Sequence, residues 1–86
     1  MVEVIWSKYA LKQLTKIDSR YQKAIREKTN QLVSFPAVPL DIKRLQDRNS
    51  QYRLRVGDYR IIFELINGEP VVITIQEVKR RTTRTY

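Results

Sequence analysis

Three observations predict an α+β domain, ordered β-α-α-β-β-β, with an antiparallel sheet packed against a helix pair. Residues 51–66, QYRLRVGDYRIIFELI, alternate apolar and polar positions on both sides of Gly57-Asp58, the pattern of two half-buried strands joined by a tight turn. Residues 8–34 repeat their apolar positions at helical spacing, with a break at Asp18-Ser19. A last apolar run, Val71 to Val78, follows Asn67-Gly68, a strong turn signal. Eighty-six residues make a single domain, 1–86, with a thin core.

Taken in order, Val2, Val4 and Trp6 alternate with Glu3 and Ile5, which suits a first strand rather than a signal peptide. Ser7 is a natural N-cap for a helix from Lys8 to about Ile17, with Ala10, Leu11, Leu14 and Ile17 on one face. Asp18-Ser19 caps a second helix, roughly Arg20 to Ser34, whose buried stripe draws on Tyr21, Ala24, Ile25 and Leu32. Arg20, Lys23, Arg26 and Lys28 read as its solvated face. The short connection predicts an antiparallel helix pair.

Pro36 and Pro39 end the helical region, Leu40 to Leu45 reads as a short extended or edge segment, and Gln46 to Ser50 as polar loop. In the hairpin, glycine at the first of two loop positions fits a type II′ turn. That turn sets Val56 opposite Tyr59, Arg55 opposite Arg60 and Arg53 opposite Ile62. Three arginines then project away from the Leu54/Ile61/Phe63 face. After the turn, Pro70 cannot donate to a ladder, so pairing begins beyond it, and Val71, Val72, Ile73 and Ile75 make the last strand largely buried.

Arginines directly opposite one another on a sheet repel, which costs stability unless an anion lies between them. The chain end adds to this set: KRRTTRTY carries Lys79, Arg80, Arg81 and Arg84 with no acid and closes on Tyr86. The preceding strand returns its end beside Gly57-Asp58, so two basic stretches aim at one place. Arg53, Arg55, Arg60, Arg80 and Tyr86 are expected on or beside the exposed sheet face. Lys79, Arg81 and Arg84 are expected around them as further cations for a phosphate-bearing partner such as RNA.

Composition narrows the chemistry. A net charge of +8 favours a polyanion or an acidic protein partner. No histidine and no cysteine means no imidazole base, no thiolate and few ways to hold zinc. The nine carboxylates are scattered, so no metal site and no cofactor is expected. No apolar run is long enough for a membrane span, and a soluble cytoplasmic protein follows as the expectation.

Clustered guanidinium groups bind phosphate oxygens in pairs and stabilise the added charge of a pentacoordinate phosphorane. A tyrosine supplies a hydroxyl and a stacking surface for a base. RNA carries its own nucleophile, the 2′-hydroxyl, so cleavage to a 2′,3′-cyclic phosphate and a 5′-hydroxyl needs no metal.

The ordered set of strand, two helices, YRLRVGDYRIIFEL, NGEPVVITI and KRRTTRTY resembles the RelE/ParE superfamily of bacterial toxins, and most closely its RelE branch. The resemblance spans nearly the whole chain and is most specific from Tyr52 to Tyr86. It implies a metal-independent endoribonuclease that cleaves messenger RNA in the ribosomal A site and is neutralised by a cognate antitoxin. It places the family's strand basic residues on Arg53 and Arg55, its next-strand arginine on Arg60, and its tail arginine and tyrosine on Arg80 and Tyr86. Arg60 and Arg80 then stabilise transition-state charge, and Tyr86 orients or stacks the nucleotide. One departure matters: RelE-like toxins typically carry lysines where this chain has Arg53 and Arg55, one of them a candidate general base. Arginine stays protonated at ordinary pH. Either Arg53 acts electrostatically with help from ribosomal groups, or this member is slow or uses other chemistry. Two alternatives remain beside this reading: a ParE-like poison of DNA gyrase, and a basic domain that binds nucleic acid without cutting it.

Overall fold

The computed structural model describes residues 2–45 and 50–80. The chain runs β1 (Val2–Trp6), α1 (Lys8–Thr15), α2 (Ser19–Asn30), a 3-10 turn (Gln31–Ser34), β2 (Ile42–Arg44), β3 (Gln51–Val56), β4 (Tyr59–Ile66) and β5 (Val71–Arg80). The strands form one sheet in the order β1-β5-β4-β3-β2, so the expected edge segment at Leu40–Leu45 is a three-residue edge strand. The α+β class is the expected one. A single pairing departs from an all-antiparallel sheet: β1 lies parallel to β5, with Val2 opposite Val71 and Trp6 opposite Ile75. Alternation decides which face a strand buries, and it leaves open the direction of its neighbour.

One face of the sheet carries the core. Leu54, Ile61, Phe63, Ile73 and Ile75 are fully buried together with Ala10, Leu14, Ile25 and Leu32 of the helical layer. Hydrogen bonds tie α1 and its N-cap to β5, and one of them is the Ser7 N–H donating to the Ile75 carbonyl at 2.9 Å. The Val78 N–H donates to Gln13 Oε1 at 2.6 Å, and Ser7 Oγ donates to the Gln76 carbonyl at 3.3 Å. Ser7 also caps α1, accepting from the Ala10 N–H at 3.1 Å.

The helices end earlier than periodicity predicts. After Thr15 the chain tightens, with Lys16 N–H donating to the Gln13 carbonyl and Ile17 N–H to the Leu14 carbonyl, and these three-residue bonds close the helix. In α1, Ala10 and Leu14 are fully buried, while Leu11, expected on the same face, is 39% exposed. In the second helix, the expected tail to Ser34 is the 3-10 turn. Its three-residue period brings Thr29, Leu32 and Phe35 into line, and Phe35 reaches the rings of Tyr52 and Phe63. Tyr21, expected in the stripe, is 47% exposed and packs its ring on Tyr59 at 5.6 Å. In β5, Ile73 and Ile75 are fully buried, while Val71 and Val72 are half-buried.

Asp18 is the N-cap of α2, accepting from the Arg20 N–H at 2.9 Å. Side-chain hydrogen bonds from Arg20, then its backbone N–H, hold the Asp18 carboxyl below its ordinary value. A carboxyl depressed in the folded state stabilises it above the unfolded carboxylate range and loses that contribution as pH falls through the folded value. Asp18→Ala is therefore expected to melt below the parent at neutral pH, with the gap closing in acid. Melting temperatures of both proteins across that range check this; a gap that persists unchanged in acid contradicts it. Among the described residues, no helix is long and apolar enough to cross a membrane.

Candidate nucleic-acid interface

The hairpin closes as the residues require. Gly57 has φ +56°, no other described residue has positive φ, and the register sets Val56 opposite Tyr59, Arg55 opposite Arg60 and Arg53 opposite Ile62. A positive φ at the first loop position alone is the type II′ pattern. Any side chain at Gly57 would carry backbone strain, although the space around it is open.

Cross-strand partners share a face, so the register defines rows on the open side of the sheet. The row nearest the turn is Arg55, Arg60 and Lys79, one from each of β3, β4 and β5, all exposed. The next is Lys43, Arg53, Ile62 and Glu77. Among the described residues, Arg55 and Arg60 form no ion pair, and Lys79 Nζ lies 3.6 Å from Glu77 Oε1. Arg53 is held differently. Its side chain is only 16% exposed, Nη2 donates to Asp41 Oδ1 at 3.3 Å, and Nε is buried without a hydrogen-bond partner. Asp41 also anchors the neighbouring strand, its carbonyl accepting from the Arg55 N–H at 3.0 Å. Sequence reasoning did not single out Asp41, which sits twelve residues from Arg53 with no local pattern to mark it.

Arg80 is the correction. Straight alternation from Ile73 and Ile75 sends Gln76, Val78 and Arg80 to the open face. Instead, Ile62 opposes Glu77 while Phe63 opposes Ile75, leaving Gln76 as the extra residue of a β-bulge. The bulge reverses the alternation beyond it. Glu77 and Lys79 turn to the open face, Val78 is buried, and Arg80 pairs with Tyr59 on the helix side. There Arg80 lines a groove of about 410 Å³ with Lys16, Asp18, Tyr21 and Tyr59. Arg80 thus shares the end of the sheet with Arg60 but not its face. The bulge is held by its side chain: Gln51 Nε2 donates to Gln76 Oε1 at 2.6 Å, and Gln76 Nε2 donates to Glu64 Oε1 at 3.1 Å. The spacing Ile73, Ile75, Val78 carried the signal, two residues and then three. Arg81, Arg84 and Tyr86 lie outside the described residues, as does Gln46–Asn49 of the expected loop.

The chain is thus a small basic α+β domain, with a helix layer on one sheet face and arginines in register on the other. Residues 4–84 match the family described as the ParE toxin of type II toxin-antitoxin systems, parDE. Toxin RelE3 of Methanocaldococcus jannaschii is 31% identical over 74 residues, 83% of each chain. The crystal structure of the archaeal RelE-RelB complex from Pyrococcus horikoshii OT3 superposes with a TM-score of 0.78 at 26% identity, covering 96% of this chain and 98% of that one. The isolated E. coli RelE toxin shares the fold at 19% identity, with a TM-score of 0.78 over 95% of this chain and 86% of that one. The chain belongs to the RelE/ParE superfamily of type II toxin-antitoxin toxins.

Proposed function

We propose that this toxin is an endoribonuclease that cleaves messenger RNA in the ribosomal A site and is restrained by a cognate antitoxin. The row Arg55, Arg60 and Lys79 carries the reading: three exposed cations in register on adjacent strands, with neither arginine neutralised by a described carboxylate. A phosphodiester laid across them receives charge-assisted hydrogen bonds at the atom where charge grows during attack by the 2′-hydroxyl. Arg60 acts from the open face, and Arg80 approaches the same phosphate round the end of the sheet. Arg53, clamped by Asp41, fixes the field beneath, and Tyr86 orients or stacks the nucleotide. Lys79, Arg81 and Arg84 extend the contact along the RNA. The solved RelE-RelB complexes among its structural relatives support an antitoxin partner for this chain too. An acidic or amphipathic segment would suit its basic surface.

Purified protein is expected to cut naked RNA poorly and translated message well, because the ribosome holds the message in the in-line geometry that free RNA seldom adopts. Primer extension on messages after brief expression, with and without translation, tests this; efficient, uniform cleavage of free RNA overturns ribosome dependence. A second reading has one observation in its favour, the match of residues 4–84 to a family described as ParE. A ParE-like toxin would inhibit DNA gyrase and leave message intact, so gyrase supercoiling assays run beside the cleavage map separate the two.

A further inference from the structure

We infer that Glu77 is the general base of this toxin, taking the proton of the attacking 2′-hydroxyl; the inference rests on the endoribonuclease reading. Some group must accept that proton. The chain has no histidine or cysteine, and guanidinium groups do not serve. Of the carboxylates near the basic rows, Asp41 is paired with Arg53, Glu64 accepts from Gln76, and Asp58 lies in the hairpin turn beyond the last row of the ladder. Glu77 is the one placed inside the cation grid, and the bulge at Gln76 puts it there.

The grid has a definite size. Neighbouring strands lie about 4.8 Å apart, and same-face residues along a strand about 6.7 Å apart. Arg53 and Glu77 therefore flank Ile62 at about 10 Å, with Arg55, Arg60 and Lys79 forming the adjacent row. A phosphodiester laid across the Arg55, Arg60 and Lys79 row, at its border with the half-buried Ile62, meets guanidinium groups on one side and the Glu77 carboxylate on the other. The Glu77 side chain is 30% exposed, open to the sheet surface, and its contact with Lys79 at 3.6 Å holds it in place beside an anionic substrate. The charged groups around it are Lys79 on β5, Arg60 and Glu64 on β4, Arg53 and Arg55 on β3, and Lys43 beyond them on β2. Cations outnumber carboxylates in that set, so an RNA phosphate is still attracted. In the step, the 2′-hydroxyl proton passes to a Glu77 carboxylate oxygen and its electron pair forms the new O–P bond. The P–O5′ bond breaks, and the departing 5′-oxygen takes a proton from water. The products are the 2′,3′-cyclic phosphate and the 5′-hydroxyl.

Glu77→Gln keeps the shape and an oxygen toward Lys79 but cannot take the proton. In single-turnover cleavage on programmed ribosomes it is expected to be about 100-fold slower or worse, with ribosome binding unchanged. Its rate should climb about tenfold per pH unit across the neutral range, as hydroxide takes over, where the parent is flat. Glu77→Asp should restore part of the rate and the flat profile. Parental rate and profile in Glu77→Gln overturn the proposal, as does a slower variant whose profile stays flat, since a merely structural loss lowers the rate without changing its pH dependence. Either result leaves the endoribonuclease reading standing if Arg60→Ala is inactive. Failure of the parent to cleave message at all rejects that reading itself.

Discussion

Arg60→Ala is expected to cleave message on programmed ribosomes about a hundredfold to a thousandfold more slowly than the parent, with ribosome binding little changed. Arg60 stands between Arg55 and Lys79 on the central strand of the row, and no described carboxylate pairs with it. Its guanidinium is aimed at charge that develops only as the 2′-oxygen attacks. Losing one such preorganised donor costs about 2.7–4 kcal/mol of transition-state stabilisation, which sets that range. Arg80→Ala tests the geometry at the end of the sheet. A fall in cleavage rate at full binding means its guanidinium reaches the phosphate from the Tyr59 side; a fall in binding alone confines it to the groove with Lys16 and Tyr21. Lys23 and Arg26, exposed on α2, serve as controls whose alanine variants stay toxic. Parental cleavage by Arg60→Ala, with inactive Lys23 or Arg26 variants, would move the site to the helices.

Phe63→Ala is expected to remove about 3–5 kcal/mol of stability. That is a large share of the roughly 4–13 kcal/mol available to a chain of this length. Phe63 is fully buried on β4, stacked on Tyr52 at 5.4 Å with 12° between planes and meeting Phe35 edge-on at 5.8 Å. Truncation leaves a cavity bounded by the sheet and by the end of the 3-10 turn, and it removes both ring contacts. The melting temperature should fall by at least about 12 °C. Tyr52→Phe keeps the stacked ring and serves as the mild comparison. A Phe63→Ala protein melting within a few degrees of the parent would show that these rings do not form the core they appear in.

Much of this site was legible in the residues. Gly57-Asp58, flanked by alternating strands, admits one register, and that register puts Arg55 against Arg60 in the structure as it does on paper. A glycine where φ is positive, and a period of two on either side, leave the hairpin no second solution that buries Leu54, Ile61 and Phe63 together. The lack of histidine and cysteine is equally a property of the chain alone, and it leaves carboxylates as the available proton acceptors.

Tertiary structure decided what local pattern leaves open. The 3-10 period after Asn30 was set by the need to bring Phe35 onto Tyr52 and Phe63, which no helical repeat in the segment encodes. Asp41 found Arg53 across the sheet edge because β2 was placed beside β3. The parallel direction of β1 against β5 is likewise a tertiary outcome, since a strand's alternation reads the same in either direction. Most consequential is Gln76. Its side chain bonds to Gln51 on β3 and Glu64 on β4, two strands that local sequence cannot bring beside it, and the extra residue it accommodates turns Glu77 and Lys79 outward and Arg80 toward the helices. Because a strand repeats every two residues, a single inserted position exchanges its faces; the two-then-three spacing of Ile73, Ile75 and Val78 marks an insertion, and pairing with β4 fixes it at Gln76.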